Sequence, residues 1–578
     1  MDNQRNMILA VVLSMLVFLG WNLVAQRYFP QPKRPPMAAQ GANTPAVTAP
    51  VSGPAPKIVL ADAKTVAGQS PRITIETPRL TGSINLRGAR IDDLLLPTYR
   101  DTIEKNAPPV RLLAPAGAKN SYYGGFGWLG DGVAVPGQDT LWTADAAKLT
   151  PATPVTLTWD NAQGQRFTIK IAIDKDFMFI VDQAVTNNGS AAIISRPYAF
   201  ASRDHVSADP ASNSHIGPLG VFNGVANYDV TYEVLTGKDP SFFAKIFGTS
   251  AKSGENAFTS KGGWLGFGDK YWLVALIPSQ EAKVDAAFRF GTGIYQSQFA
   301  AAPVTVAPGS TSLFTTRMFA GAKEVALLDR YESDLKIHNF GRAIDWGWFE
   351  IIEKPIFYLL DWLFKFVGNF GVAIMLLTCV VRGLMFPIAQ RQFASMAAMR
   401  VVQPKLKALQ DRYKDDKVKL QSAMVELYKT EKINPVAGCL PLVLQIPIFF
   451  ALYKVLSITI EMRHQPFMLW IRDLSAPDPA NIVALAHMAS IPLPQILGIG
   501  VLAVLLGVTM YFQFKLSPAP ADPAQAQVMA IMPWMMMFMM APFAAGLLLY
   551  WATSNVLTIA QQRLLYSRYP GLKEPLKT

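Results

Sequence analysis

A full positive charge sits inside an otherwise apolar stretch, and few folds admit that. Residues 369–390 read NFGVAIMLLTCVVRGLMFPIAQ, and the charge is Arg382. At about 1.5 Å per residue, a helix of this length crosses a hydrocarbon layer about 30 Å thick. An arginine at such depth costs ~2.5–3.5 kcal/mol on insertion scales. It therefore faces protein or water, or its long side chain snorkels to the headgroups. Arg382 lies about two helical turns from Gln390, so this stretch alone leaves both outcomes open. Polar residues on neighbouring segments favour the first.

Over 578 residues, hydrophobic side chains make up 51% and charged ones 16%. That is too apolar for a purely soluble protein and too polar for one wholly in the membrane. A multi-domain membrane protein is expected. The two cysteines, Cys379 and Cys439, both lie in apolar segments, so no disulfide framework or zinc cluster is offered. No GxxxxGK[ST] phosphate loop is present. The reading is a non-enzyme without cofactor or metal.

Residues 1–28 contain a continuous apolar run, with Trp21 and Tyr28 near its outer end. A cleaved signal peptide is the rival, but the run is long and Leu23 spoils the small-x-small pattern before Ala25. It reads as an uncleaved signal-anchor helix. Residues 29–56, rich in Pro and Ala, form an extended tether. From 57 to 336 the period becomes two. Ile73 and Ile75 alternate with polar neighbours, as do Phe167, Ile169, Ile171 and Ile173, then Phe177, Phe179 and Val181, and late in the segment Val304 and Val306. This predicts an antiparallel β-sandwich domain. His205 and His215, its only histidines, have no acidic or cysteine pattern around them that fits a metal site. The aromatic stretch 262–272 is a sugar platform or, more simply, core packing.

In residues 337–366, Phe340, Ile344, Trp348 and Ile351 fall on one helical face, with Arg342, Glu350 and Glu353 away from it. This predicts an amphipathic helix at the membrane surface, with Pro355 permitting a turn into the next span. Residues 388–434 read as an antiparallel helical hairpin broken at Asp415-Asp416. Leu406, Leu409 and Tyr413 share one face, and Leu420, Met424, Leu427 and Tyr428 another. Its cations include Lys405, Lys407, Arg412 and Lys414, and such an excess in a short loop marks it as cytoplasmic. The same charges fit RNA or anionic headgroups, but a solvated topology signal explains most of them. The overall charge of +12 is thus weak evidence for nucleic acid, and DNA is not an expected partner.

The remaining spans are expected at about 367–387, 435–456, 493–514, 528–543 and 544–561, making six with the anchor. Placing the hairpin inside puts both termini, including the tail 563–578, in the cytoplasm. The β domain is then outside, in the periplasm of a Gram-negative cell. Gln445 lies between Pro441 and Pro447, and Thr553, Ser554 and Asn555 stand together mid-span. Each either satisfies its own helix or a helix pair, worth ~0.6–2 kcal/mol, or joins Arg382 along a wet cavity.

The chain resembles the bacterial YidC membrane-protein insertases in MDNQRN at the start, SKGGWLGFGDKYW, GNFGVAIMLLTCVVRGLMFPIAQRQFASMAAMR, QPKLKAL, LYKTEKINPVAGCLPLVLQIPIFFALY, PFMLWIRDLSAPDP and LLLYWATSNVLTIAQQ. The resemblance implies a five-helix core, residues 367–562, around a hydrophilic groove open to cytoplasm and lipid and closed to the periplasm. Arg382, Thr378 and Gln445 match groove positions, and Phe449, Tyr550 and Trp551 match the groove or its apolar slide. The hairpin corresponds to a loop that receives substrates, and the outer domain to a β-supersandwich related to sugar mutarotases but lacking their activity. Implied partners are nascent inner-membrane proteins, the Sec translocon, the ribosome and membrane lipids. The run Met535–Met540 departs from a more aromatic family pattern, and the carboxyl tail is short, with few of the extra basic residues of ribosome-binding tails. A secondary transporter would instead show inverted repeats and paired broken helices, which this sequence lacks. In a purely structural chaperone the β domain would do the work.

Overall fold

The computed structural model describes residues 62–207, 214–237, 253–413, 416–431, 440–481, 483, 498–516 and 523–568. The expected signal anchor 1–28 and tether 29–56 lie outside the described residues. The chain divides into two compact units, one built mostly from residues up to Ala343 and the other mostly from Ile344 onward.

In the first unit the period-two runs are strands. Gln165–Ile173 buries Phe167, Ile169, Ile171 and Ile173 and turns the residues between them outward. It pairs antiparallel with Met178–Asn187, Val181 opposite Ile171. The strands form an eleven-stranded and a nine-stranded sheet. Nearly all the described pairings are antiparallel, and at one short edge Thr74 lies parallel to Lys148. The two inner faces interlock: Trp128 of the larger sheet meets Phe167 of the smaller, ring centroids 5.1 Å apart. Gln183 Nε2 donates across the layer to Gly127 O at 2.8 Å. The aromatic stretch resolves as core packing, since Trp264, Phe267 and Tyr271 are buried. Val304 departs from its expected place. It lies on a three-residue strand and is exposed, and only Val306 reaches the core. His215 Nε2 donates to Pro218 O at 2.8 Å, and His205 stands beside Arg203, whose guanidinium pairs with Asp269.

The second unit is helical. The expected amphipathic helix does not begin at Phe340. Residues Phe340–Ala343 and Gly347–Phe349 are two separate 3-10 turns, and the α-helix, α1, runs Glu350–Val367. Phe340 and Ile344 are buried while Ile351 is 83% exposed, so these side chains do not share one face. Glu353, expected away from the packed side, is buried instead. Pro355 lies inside α1 without ending it, so it does not make the turn into the next helix. That turn is made at Gly368, in the left-handed conformation at φ 70° that glycine tolerates.

Asn369 then caps α2, accepting from Val372 N at 3.1 Å. Helix α2 runs Phe370–Arg412 without a break, so the membrane stretch and the first hairpin arm are one rod rather than two elements meeting near residue 387. Asp416 caps the second arm, α3, Lys417–Thr430, which is tied back to α2 by the Lys405–Glu431 pair. Among the described residues four more helices follow: α4, Leu440–Ile458; α5, Val501–Leu516; α6, Pro523–Met540; and α7, Ala545–Arg568. The α6–α7 junction falls at 541–544 and contains the expected boundary between 543 and 544. Among the described residues one stretch, Phe370–Gln392, is long and apolar enough to cross a membrane. Gln445–Ile458, Val501–Leu516 and Gln527–Met540 are apolar but shorter.

Candidate substrate-binding site

Arg382 projects from α2 onto α7. Its Nε donates to Ser554 Oγ at 2.9 Å, and its Nη2 contacts the same hydroxyl. Gln561 Nε2 reaches back to the Arg382 carbonyl at 3.3 Å. Ser554 and Gln561 are about two turns apart on α7 and so share a face. Ser554 is almost wholly buried, and among the described residues no carboxylate lies within ion-pair distance of Arg382. A guanidinium has more N–H donors than one hydroxyl can take up, so part of its capacity stays available for water or an acidic guest.

One helix along, Gln445 Nε2 of α4 donates to Tyr550 OH of α7 at 2.6 Å. Gln445 Oε1 is buried and without a hydrogen-bond partner among the described residues, which suits a site that takes up a donor from water or a passing chain. Tyr550 is buried. Beside it Phe449 meets Trp551 edge-on, ring centroids 4.9 Å apart. Ile446 and Phe450 stand exposed on the same helix, giving the polar group an apolar flank.

Two expected groups join, and two expected residues do not. Arg382 with Ser554, and Gln445 with Tyr550, both converge on α7. Thr378 does not join them: it is buried and bonds Ile374 O of its own helix at 2.7 Å. Asn555 faces another way and donates to Thr509 Oγ1 of α5 at 3.1 Å. Of the hairpin cations, Lys405 pairs with Glu431 across the arms at 2.6 Å, and Arg412 lies over the Tyr413 ring. The Lys407 side chain and Lys414 lie outside what is described. Sequence reasoning named the Thr553–Asn555 group without singling out Ser554, and it missed Gln561. The seven-residue spacing of those two, which puts them on one helical face, was the available signal.

A family profile described as the 60Kd inner membrane protein matches residues 362–573, and one described as the YidC periplasmic domain matches 72–359. A membrane protein insertase YidC from Zymomonas mobilis is 45% identical over 579 residues, spanning 99% of this chain and 96% of its own. The chain belongs to the YidC membrane protein insertase family. Another YidC, from Methylorubrum extorquens, is 42% identical across 98% of this chain and 96% of its own. Among solved structures, an active YidC insertase with its first transmembrane domain resolved is 17% identical, covers 85% of this chain and 92% of its own, and superposes with a TM-score of 0.35. A galactose mutarotase-like protein from Lactobacillus casei is 12% identical, covers 43% of this chain and 99% of its own, and has a TM-score of 0.28. Both scores are too low to transfer geometry. Membership in the YidC family makes this an inner-membrane protein with a periplasmic β-rich domain.

Proposed function

We propose that this chain inserts nascent proteins into the inner membrane and helps them fold, through a polar groove in its helical unit. The observation that carries this reading is the contact of Arg382 with Ser554, made from the apolar stretch Phe370–Gln392 of α2. A cation held inside the bundle stays hydrated, and a hydrophilic or acidic segment entering beside it never meets the full hydrocarbon thickness. The apolar part of the same guest then slides past Phe449, Phe450 and Trp551 into lipid. No covalent step or cofactor enters this mechanism.

In this reading α2, α4, α5, α6 and α7 are the five core spans and the anchor is the sixth. Both termini and the hairpin lie in the cytoplasm, and α1 rests on the periplasmic face of the inner membrane. The groove opens to the cytoplasm and to lipid. The exposed Leu384 and Val380 of α2, and Trp534, Met535 and Phe538 of α6, supply the lipid-facing surface. The hairpin receives substrates from the ribosome, and the insertase works alone or beside the Sec translocon.

A photo-crosslinker at Gln445 tests the groove during synthesis of a small inner-membrane protein. Adducts with the nascent chain are expected. Their absence while insertion proceeds at the normal rate would count decisively against it.

A further inference from the structure

One loop, residues 459–481, touches the beginnings of three helices. Asn369, the cap of α2, donates through Nδ2 to Phe467 O at 3.0 Å. At α7, Ala545 N donates to Ala476 O at 2.8 Å and Gly546 N to Leu474 O at 2.9 Å. At α5, Val501 N donates to Ala480 O at 3.1 Å. The last three satisfy backbone amides that a helix start otherwise leaves without partners.

Asp478 is the centre of this loop. It is 2% exposed, and its Oδ1 accepts from Trp470 Nε1 at 2.9 Å and from Ala480 N at 2.9 Å. Its Oδ2 accepts from Leu502 N of α5 at 2.8 Å. The residue before α5 is Gly500, which has no side chain to cap its own helix. A Cβ there would lie 2.7 Å from the Asp478 carboxylate. The cap is thus supplied from the loop, across 24 residues of sequence.

Two of the three tied helices, α2 and α7, carry Arg382 and Ser554. We infer that Asp478 is a positioning residue: it locks this loop over the starts of α2, α5 and α7 and keeps the outer end of the Arg382–Ser554 groove shut. The inference rests on the groove reading above. An entering hydrophilic segment then meets water from the cytoplasmic side only, and the membrane does not leak while the groove is occupied.

The test uses the full-length protein in membrane vesicles of each orientation, with Cys379 and Cys439 replaced by serine and S554C as reporter. The probe is a membrane-impermeant maleimide. Labelling from the inner face with Asp478 intact reads the groove itself, and labelling from the outer face reads the clamp. D478N keeps the acceptor for Trp470 and Ala480 but places an amide against Leu502 N. It is expected to label from the outer face at least tenfold faster than the protein with Asp478. W470F removes only the contact within the loop and is expected to stay closed. Should D478N fail to accumulate, G500A drives a methyl group into the carboxylate and carries the same expectation. A folded D478N or G500A protein that labels from the outer face no faster than the protein with Asp478 overturns the inference, whatever the inner-face result.

Discussion

At the scale of single residues, the decisive contact joins positions 172 apart in sequence, Arg382 and Ser554. Period and hydropathy placed each on an apolar helix but carry no information on which helices meet. The sequence therefore displayed the polar residues without their pairing, and Thr378, one turn from Arg382, proved to serve its own backbone. Removing the charge as R382Q is expected to slow insertion of substrates with acidic translocated segments about three- to tenfold, the loss of a partly hydrated charge-assisted bond. Substrates with uncharged segments should be unaffected, which a reconstituted insertion assay reads directly. The Gln445–Tyr550 bond should give a coupling of about 1 kcal/mol in a double-mutant cycle of Q445L and Y550F, read from thermal unfolding in detergent.

Glu353 offers a pH test at the same scale. It is buried on α1, and its pKa is pushed up to about 7, mainly by burial. Lys454 opposes that shift, while Asp345 and Glu350 add to it. The folded state therefore binds the proton more tightly than the unfolded chain. The stability this confers is full below the ordinary glutamate value and is lost as pH rises toward about 7. Thermal unfolding of the intact protein should weaken over that window, and E353Q should flatten the slope.

Among the elements, strands were the most legible. Alternation such as Phe167, Ile169, Ile171 fits a two-residue repeat so closely that register follows from it. The helix expected from Phe340 failed for a local reason. Its apolar spacing is helical, but Gly347 adopts φ 67° and divides the segment into short turns before α1 begins. Where the expected span 367–387 gives way to the hairpin, Pro387 does not end α2, which runs on into the first arm. At its start, Gly371 packs so tightly that an added Cβ would lie 2.0 Å from the Phe467 ring. G371A is expected to destabilise the helical unit by about 1–3 kcal/mol, and F467A in the same chain should relieve part of that loss.

For the whole molecule, the division into a β-rich unit and a helical unit was legible from the change of period near residue 336. The groove depends on helix pairings that only the fold supplies. Because the polar contacts all lie within the helical unit, deleting residues 62–333 should leave insertion activity within about twofold, with α1 retained. A loss of activity in a stably folded deletion would move the work to the β domain. The central claim, a cation kept wet inside the bilayer, is tested most directly by comparing two thiols in a cysteine-free background. S554C faces Arg382, whereas L384C replaces a side chain 76% exposed on the outer surface of α2. With an impermeant maleimide added from the cytoplasmic side, S554C is predicted to label and L384C to stay unreacted in lipid. Labelling of L384C with S554C protected would place the water outside the bundle and contradict the account.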